Sequence, residues 1–258
     1  MKQKQNSNYT APALEKGLDI LELLSERDVG LTQSEIARAL GRSVGEIFRM
    51  LMVLQERGYV SQDPLSDRYS ITTFIFEIAH RIPVVGRMTA IAGPVMRELS
   101  GKINQSVHLA ILSEGSVLVV GQTTSSGNNV LSVRLGAKID PWRASSGRVI
   151  LAYQPENEVK ELMKDVPVPQ GTTATKILEE LRVIRTNGIE VRDSFVVKGV
   201  VNISAPIVDH SGQAIGALTV PHIERFDEEI TFAQCKDNVI AMAARLSKSI
   251  GGQPPSVN

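Results

Sequence analysis

Two short stretches gather side chains suited to molecular recognition. In R-S-V-G-E-I-F-R, residues 42–49, Arg49 carries a planar fork of donors able to hold a phosphate or the O6/N7 edge of a guanine. Arg42 adds a second positive charge, Ser43 opens the segment, and Gly45 lets a backbone approach a partner closely. Glu46 either reads a cytosine amino group or only completes a capping box with Ser43. Phe48 either packs or touches a thymine methyl, and Arg68, past the following turn, offers a donor for phosphate or a minor groove. The second stretch is Arg143-Ala144-Ser145-Ser146-Gly147-Arg148. Hydroxyls and free backbone N–H groups at a helix start, flanked by two guanidinium groups, favour an anion; the plain alternative makes Ser145 an ordinary N-cap.

Bond-breaking chemistry has no comparable signature. His80, His108, His210 and His222 are scattered without metal-ligand spacing. No Gly-x-Ser-x-Gly elbow follows a predicted strand (Gly41 to Gly45 matches in letters only, between two predicted helices), and no phosphate-binding P-loop is present. Cys235, the single cysteine, reads as a small core residue beside Phe232 and Ala233. The expectation is a protein that is not an enzyme and needs no cofactor or metal. Its rivals are a constitutive DNA-binding or scaffold protein and an enzyme whose site lacks a local motif.

The elements needed to position these residues can be read from periodicity. Leu14, Leu18 and Leu21 follow helical spacing, with Ile20 and Leu24 on a neighbouring stripe. Apolar residues on two sides suggest a helix with two packing partners, one of them another subunit. Thr32-Gln33-Ser34-Glu35 is a capping box for a second helix that buries Ile36, Ala37 and Leu40 and stops at Gly41. Ser43 to Glu46 is another box, opening a third helix to Arg57. Ile47, Met50, Leu51 and Leu54 share one of its faces; Gly45, Phe48, Arg49, Met52 and Glu56 lie opposite. "YVSQ", "DPLSD" and "RYSI" predict strand, turn and strand, completing the order of a winged helix-turn-helix.

Helices are expected next at "TTFIFEIAHR", ending before Pro83, and at about 87–101, interrupted or kinked at Gly93-Pro94. From Ser106 the apolar period becomes two. "SVHLAIL", "SVLVVGQ" and "VLSVRL" read as strands, the last two joined by the loop "TTSSGNN". "SSGRVILAY", "ENEVKELMK" and "TKILEELRVIRTNG" read as helices. "VVNISAPIV" and "AIGALTV" add two strands, and a last helix covers about 228–248. This divides the chain into a DNA-binding domain at 11–75, a helical linker at 76–102 and a second domain at 103–250.

The chain has 258 residues, 42% hydrophobic and 22% charged, with zero formal net charge. Such a composition fits a globular protein with a real core, and any basic patch must be local. No run approaches the ~20 apolar residues that span a bilayer, and the polar N-terminus does not read as a secretory signal. One cysteine suits a reducing compartment, so the expected location is cytoplasmic, away from membranes.

"LTQSEIARALGRSVGEIFRMLMVLQERGYVSQDPLSDRYSI" resembles the DNA-binding half of the IclR family of bacterial transcriptional regulators. "GAKIDPWRASSGRVILA", "ILEELRVIRTNGIEV" and "GVVNISAPIVDHSGQAIGALTV" resemble that family's effector domain, in the same order. The likeness spans about residues 11–250. It implies an α+β protein: a winged helix-turn-helix followed by a GAF-like effector domain with a mainly antiparallel sheet. It further implies a dimer or dimer of dimers, double-stranded operator DNA as partner, and a small metabolite as effector. Matched residue by residue, the family's effector positions fall on Leu131, Ser145, Ser146, Arg192, Val200, Asn202 and Thr219. Three departures stand out: Arg148 where a lysine is usual, Arg192 within "RDSF" where an acid is common, and Trp142 where a histidine is frequent. Asn202 would supply directional hydrogen bonds to a carboxylate or similar group. Arg192 does the same or is a solvated surface charge. The reading is a regulator, more often a repressor, of a catabolic operon, responding to a small anionic metabolite.

Overall fold

The computed structural model describes residues 11–80, 83–126, 130–226 and 230–254. The chain divides between Pro83 and Val84 into two compact units.

The first unit runs α1 (Pro12–Ser25), β1 (Leu31–Thr32), α2 (Gln33–Leu40), α3 (Val44–Glu56), β2 (Val60–Gln62), β3 (Arg68–Ile71) and α4 (Phe74–His80). Both expected capping boxes form: Thr32 accepts from the Glu35 amide and Ser43 from the Glu46 amide, and each glutamate reaches back to its cap. Gly41 ends α2 at φ 62°, a left-handed conformation cheap only for glycine, so the chain can turn directly into α3. Ile20, Leu24, Ile36, Ile47, Leu51, Val60 and Tyr69 form the core. Each large aliphatic among them contributes roughly 1.5–3 kcal/mol when fully buried. The wing is an antiparallel sheet in the order β1-β3-β2, with Asp63 accepting from Leu65 and Ser66 N–H groups in its turn.

The second unit comprises α5 (Pro83–Ile103), β4 (Val107–Ser113), β5 (Ser116–Thr123), β6 (Lys138–Ile139), α6 (Ser145–Ala152), α7 (Glu156–Asp165), α8 (Ala174–Asn187), β7 (Glu190–Asp193), β8 (Val200–Val208), β9 (Ala214–Ile223) and α9 (Phe232–Ser249). Its six strands lie in the order β6-β5-β4-β9-β8-β7, every neighbour antiparallel. Side chains alternate between two cores. Leu109, Ile203, Ala205, Leu218 and Val220 pack with α5 and α9. Ala217 and Val208 lie on the other face with Trp142, Val149 and residues of α6 and α8. His108, Asn202, Ser204 and Thr219 belong to this second face by the period-two alternation.

Several expectations change. "VLSVRL" forms no strand; Leu131 and Val133 are partly buried, but backbone pairing to Val119 starts only at Gly136 and Ala137. Alternation there reflects a wall rather than a ladder. Helix α5 runs through Pro94 without interruption. Pro94 and Ala90 both lie on its exposed side, where water can meet the carbonyl left without a donor, while Ala92, Val95, Met96 and Leu99 anchor the opposite side. The stretch 76–102, expected as a linker, is thereby divided: α5 supplies much of the second unit's core. Short strands β1, β6 and β7 had no expectation. Helix α9 begins at Phe232; the expected start at 228, the tip of "TTSSGNN" at 127–129 and the polar residues 1–10 lie outside the described residues.

Candidate DNA-contact face and ligand cavity

Helix α3 buries Ile47 and Leu51 and leaves Gly45, Phe48, Arg49, Met52 and Glu56 exposed. Phe48 is 46% exposed and Arg49 has no ion pair among the described residues. Four of the other expected contacts are engaged within the unit, Ser43 through its capping box with Glu46. Arg42 pairs with Asp19 at 3.1 Å. Arg68 donates to the Gly30 carbonyl at 2.6 Å and to Glu35 at 3.0 Å, pinning the wing to α2. Glu46 accepts from Ser43 and from Lys16 Nζ, and Lys16 first, then Ser43, holds its carboxyl down at about 2. Lys16 went unnoticed in the sequence because nothing local ties residue 16 to residue 46. On α1, Leu14 and Leu18 stay 63% and 49% exposed while Ile20 and Leu24 are buried.

In the second unit a cavity of about 500 Å³ opens between the sheet and the start of α6. Leu131, Ser145, Ser146, Val200, Asn202 and Thr219 all line it. Helix α6 begins there in an unusual way. Its N-cap is Ala144, which offers no side-chain hydrogen bond, so Ser145 is the first helical residue rather than the cap. A cap that cannot accept leaves the first-turn N–H groups of the helix without a partner from it, and costs about 1 kcal/mol relative to serine or aspartate. Gly147 is required for the approach: a Cβ there would sit 2.4 Å from the Pro141 carbonyl oxygen. The Ser145 hydroxyl is occupied, accepting from Ser204 Oγ at 2.8 Å, and Ser204 meets Thr219 Oγ1 at 2.8 Å.

The two guanidinium groups expected to charge this helix start act elsewhere. Arg148 is buried and bonds Glu180 at 2.7 Å and Glu190 at 2.9 Å. Arg143 lies over the Phe195 ring, 4.6 Å from its centroid. Arg192 is absent from the cavity lining; it lines a neighbouring cleft of about 230 Å³ with Trp142, Arg143, Lys176 and Glu180. It is drawn toward the same Glu180 and Glu190 that hold Arg148, at 3.7 and 3.6 Å. The charges that do line the cavity are Arg134, Lys138 and Asp140, which periodicity did not single out. His108 was dismissed for lack of metal spacing, yet it also lines the cavity.

A family model described as "Bacterial transcriptional regulator IclR C-terminal" matches residues 84–248, and one described as "IclR helix-turn-helix domain" matches residues 13–64. The chain belongs to the IclR family of bacterial transcriptional regulators. Within the family it is 28% identical over 246 residues to the HTH-type transcriptional regulator KdgR of Dickeya chrysanthemi, covering 92% of this chain and 78% of that one. It is 29% identical to KdgR of Escherichia coli over 222 residues, covering 83% of each. The IclR crystal structure from Thermotoga maritima superposes with a TM-score of 0.75 at 25% identity, over 92% of this chain and 98% of that one. An IclR homologue from Microbacterium hydrocarbonoxydans, solved with 4-hydroxybenzoate, superposes at 0.76; at 19% identity, over 92% and 98% of the chains, it shows a shared fold. These likenesses agree with the α+β architecture and winged helix-turn-helix of this IclR-family chain. Among the described residues no helix is long and apolar enough to cross a membrane.

Proposed function

We propose that this chain is a ligand-controlled repressor of a catabolic operon, with the exposed face of α3 reading double-stranded operator DNA and a small anionic metabolite filling the cavity of the second unit. The observation that carries the ligand half is the start of α6. An eight-residue helix opens on alanine beside a cavity, where its partial positive charge and free N–H groups suit a carboxylate. Leu131, Ser146, Val200, Asn202 and Thr219 form the surrounding wall. On the DNA side, Arg49 is the exposed, uncommitted guanidinium on the reading helix, and Gly45, Phe48 and Met52 share its face. Ser43 and Glu46 fix where that helix starts, while Arg42 and Arg68 hold the unit together and present what remains of their donors to phosphate. The exposed Leu14 and Leu18 on α1 support a homodimer or homotetramer, which two half-sites require.

A ligand acts only through unequal affinity for DNA-bound and free arrangements. The test is to recover the genomic fragments retained by the purified protein and measure their binding with and without panels of acidic, neutral and cationic metabolites. Release by acids alone is expected. Operator binding indifferent to every class would leave a constitutive DNA-binding protein.

A further inference from the structure

A polar row crosses the sheet face beneath the cavity, and two of its members, His108 and Thr219, line the cavity itself. Register places Gln122 opposite His108, His108 opposite Thr219, Thr219 opposite Ser204, and Ser204 opposite Glu190. Residues directly opposite on neighbouring strands share a face, so these five side chains form one line from β5 to β7. Most of the line is satisfied internally: Ser204 bonds both Ser145 and Thr219, and Glu190 bonds Arg148. His108 differs. It is 4% exposed, lines the cavity, and its Nδ1 is buried with no hydrogen-bond partner among the described residues. Burial holds the imidazole down at about 4, so at neutral pH it is uncharged, with one nitrogen a donor and the other an acceptor.

A buried polar atom without a partner is costly, and here it borders space for a ligand. A carboxylate gains little beside it, because a neutral imidazole brings no positive charge and half its hydrogen-bonding capacity is acceptor. A hydroxyl fits either tautomer, since it both donates and accepts. The acid group has its own place at the α6 start, over Ser204. With strands about 4.8 Å apart, that point lies within roughly 10 Å of His108.

Resting on the cavity reading above, we propose that the occupant is a hydroxy acid bound end to end: its carboxylate at the α6 start and a hydroxyl at its remote end on His108, with apolar carbons between. His108 is then the residue that selects the hydroxyl, leaving acid recognition to the helix.

Matched probes separate the two layers: 4-hydroxybenzoate against benzoate, and 6-hydroxyhexanoate against hexanoate. Calorimetry on the full-length protein should show at least one hydroxylated acid bound tenfold or more tightly than its partner. In His108→Leu that ratio should fall to near one. Equal binding within both pairs, or a ratio unchanged in the variant, overturns the assignment of His108 while leaving the acid site standing. No binding of any acid overturns both. A measurement independent of the variant is ¹⁵N NMR of the histidine imidazoles in the parent protein. The His108 nitrogens should shift with the hydroxylated probe and not with its partner; identical spectra for the two overturn the proposal.

Discussion

Lys16, on α1, donates to the carboxylate of Glu46, on the first turn of α3. Together with the Arg42–Asp19 pair this contact ties the start of α3 to α1, and it binds a residue that sequence reading offered as a base contact. Glu46 also closes its capping box through Ser43, so its oxygens already have partners within the domain.

That arrangement has a pH signature. The Glu46 carboxyl is held at about 2 against an ordinary 4.5. A depressed carboxyl stabilises the folded state above its unfolded value, and the contribution is lost as pH falls from about 4.5 toward 2. Glu46→Gln should lose the Lys16 charge pair while retaining an acceptor. Its unfolding midpoint should therefore lie below the parent's at pH 6, and the two should converge between pH 4.5 and 2. Parallel curves across that window would detach the pair from stability.

Arg49 and Arg68 should part ways. Arg49→Ala removes an exposed, uncommitted guanidinium and should weaken operator binding by about 1–3 kcal/mol, with no change in thermal stability. Arg68→Ala breaks the half-exposed link to Glu35 and Gly30, a weak surface pair. It should lower the melting temperature modestly and reduce affinity equally on specific and random DNA. Electrophoretic shift and thermal unfolding on both variants decide it.

How much of this was legible is clear from particular residues. The face of α3 and both capping boxes follow from spacing alone, because a helix is a local structure with its own period. Six of the seven expected effector positions meet in one cavity, carried by the order of segments. Arg192 does not, since its side chain answers to Glu180 and Glu190, and Glu180 comes from a helix the strand pattern cannot see. His108 lay beyond reach for the same reason. Its meaning depends on register across five strands, which no short stretch contains.

Asn202 and Ser146 line the cavity without serving either core. Asn202→Ala and Ser146→Ala should each reduce ligand affinity by roughly 1.5–3 kcal/mol if they hold a carboxylate, about ten- to hundredfold. DNA binding in the absence of ligand should be unchanged. Calorimetry with the acid that releases the parent from its operator is the measurement.

Arg148 tests the buried ion triad. Its side chain is 4% exposed and bridges Glu180 and Glu190. Arg148→Ala strands Glu190, which is itself largely buried, and should cost about 3 kcal/mol in denaturant unfolding. Adding Glu190→Gln should recover part of that loss, whereas an additive double variant would show the pair to be uncoupled.

The alanine at the head of α6 has a kinetic consequence. A helix end without a cap frays, so the amides of Ser145, Ser146 and Gly147 set their own local opening rate while the cavity is empty. An occupant that accepts from those amides supplies the missing cap, and its binding free energy then adds directly to the protection of that turn. Amide exchange at three residues would thus report occupancy in solution before any operator is known.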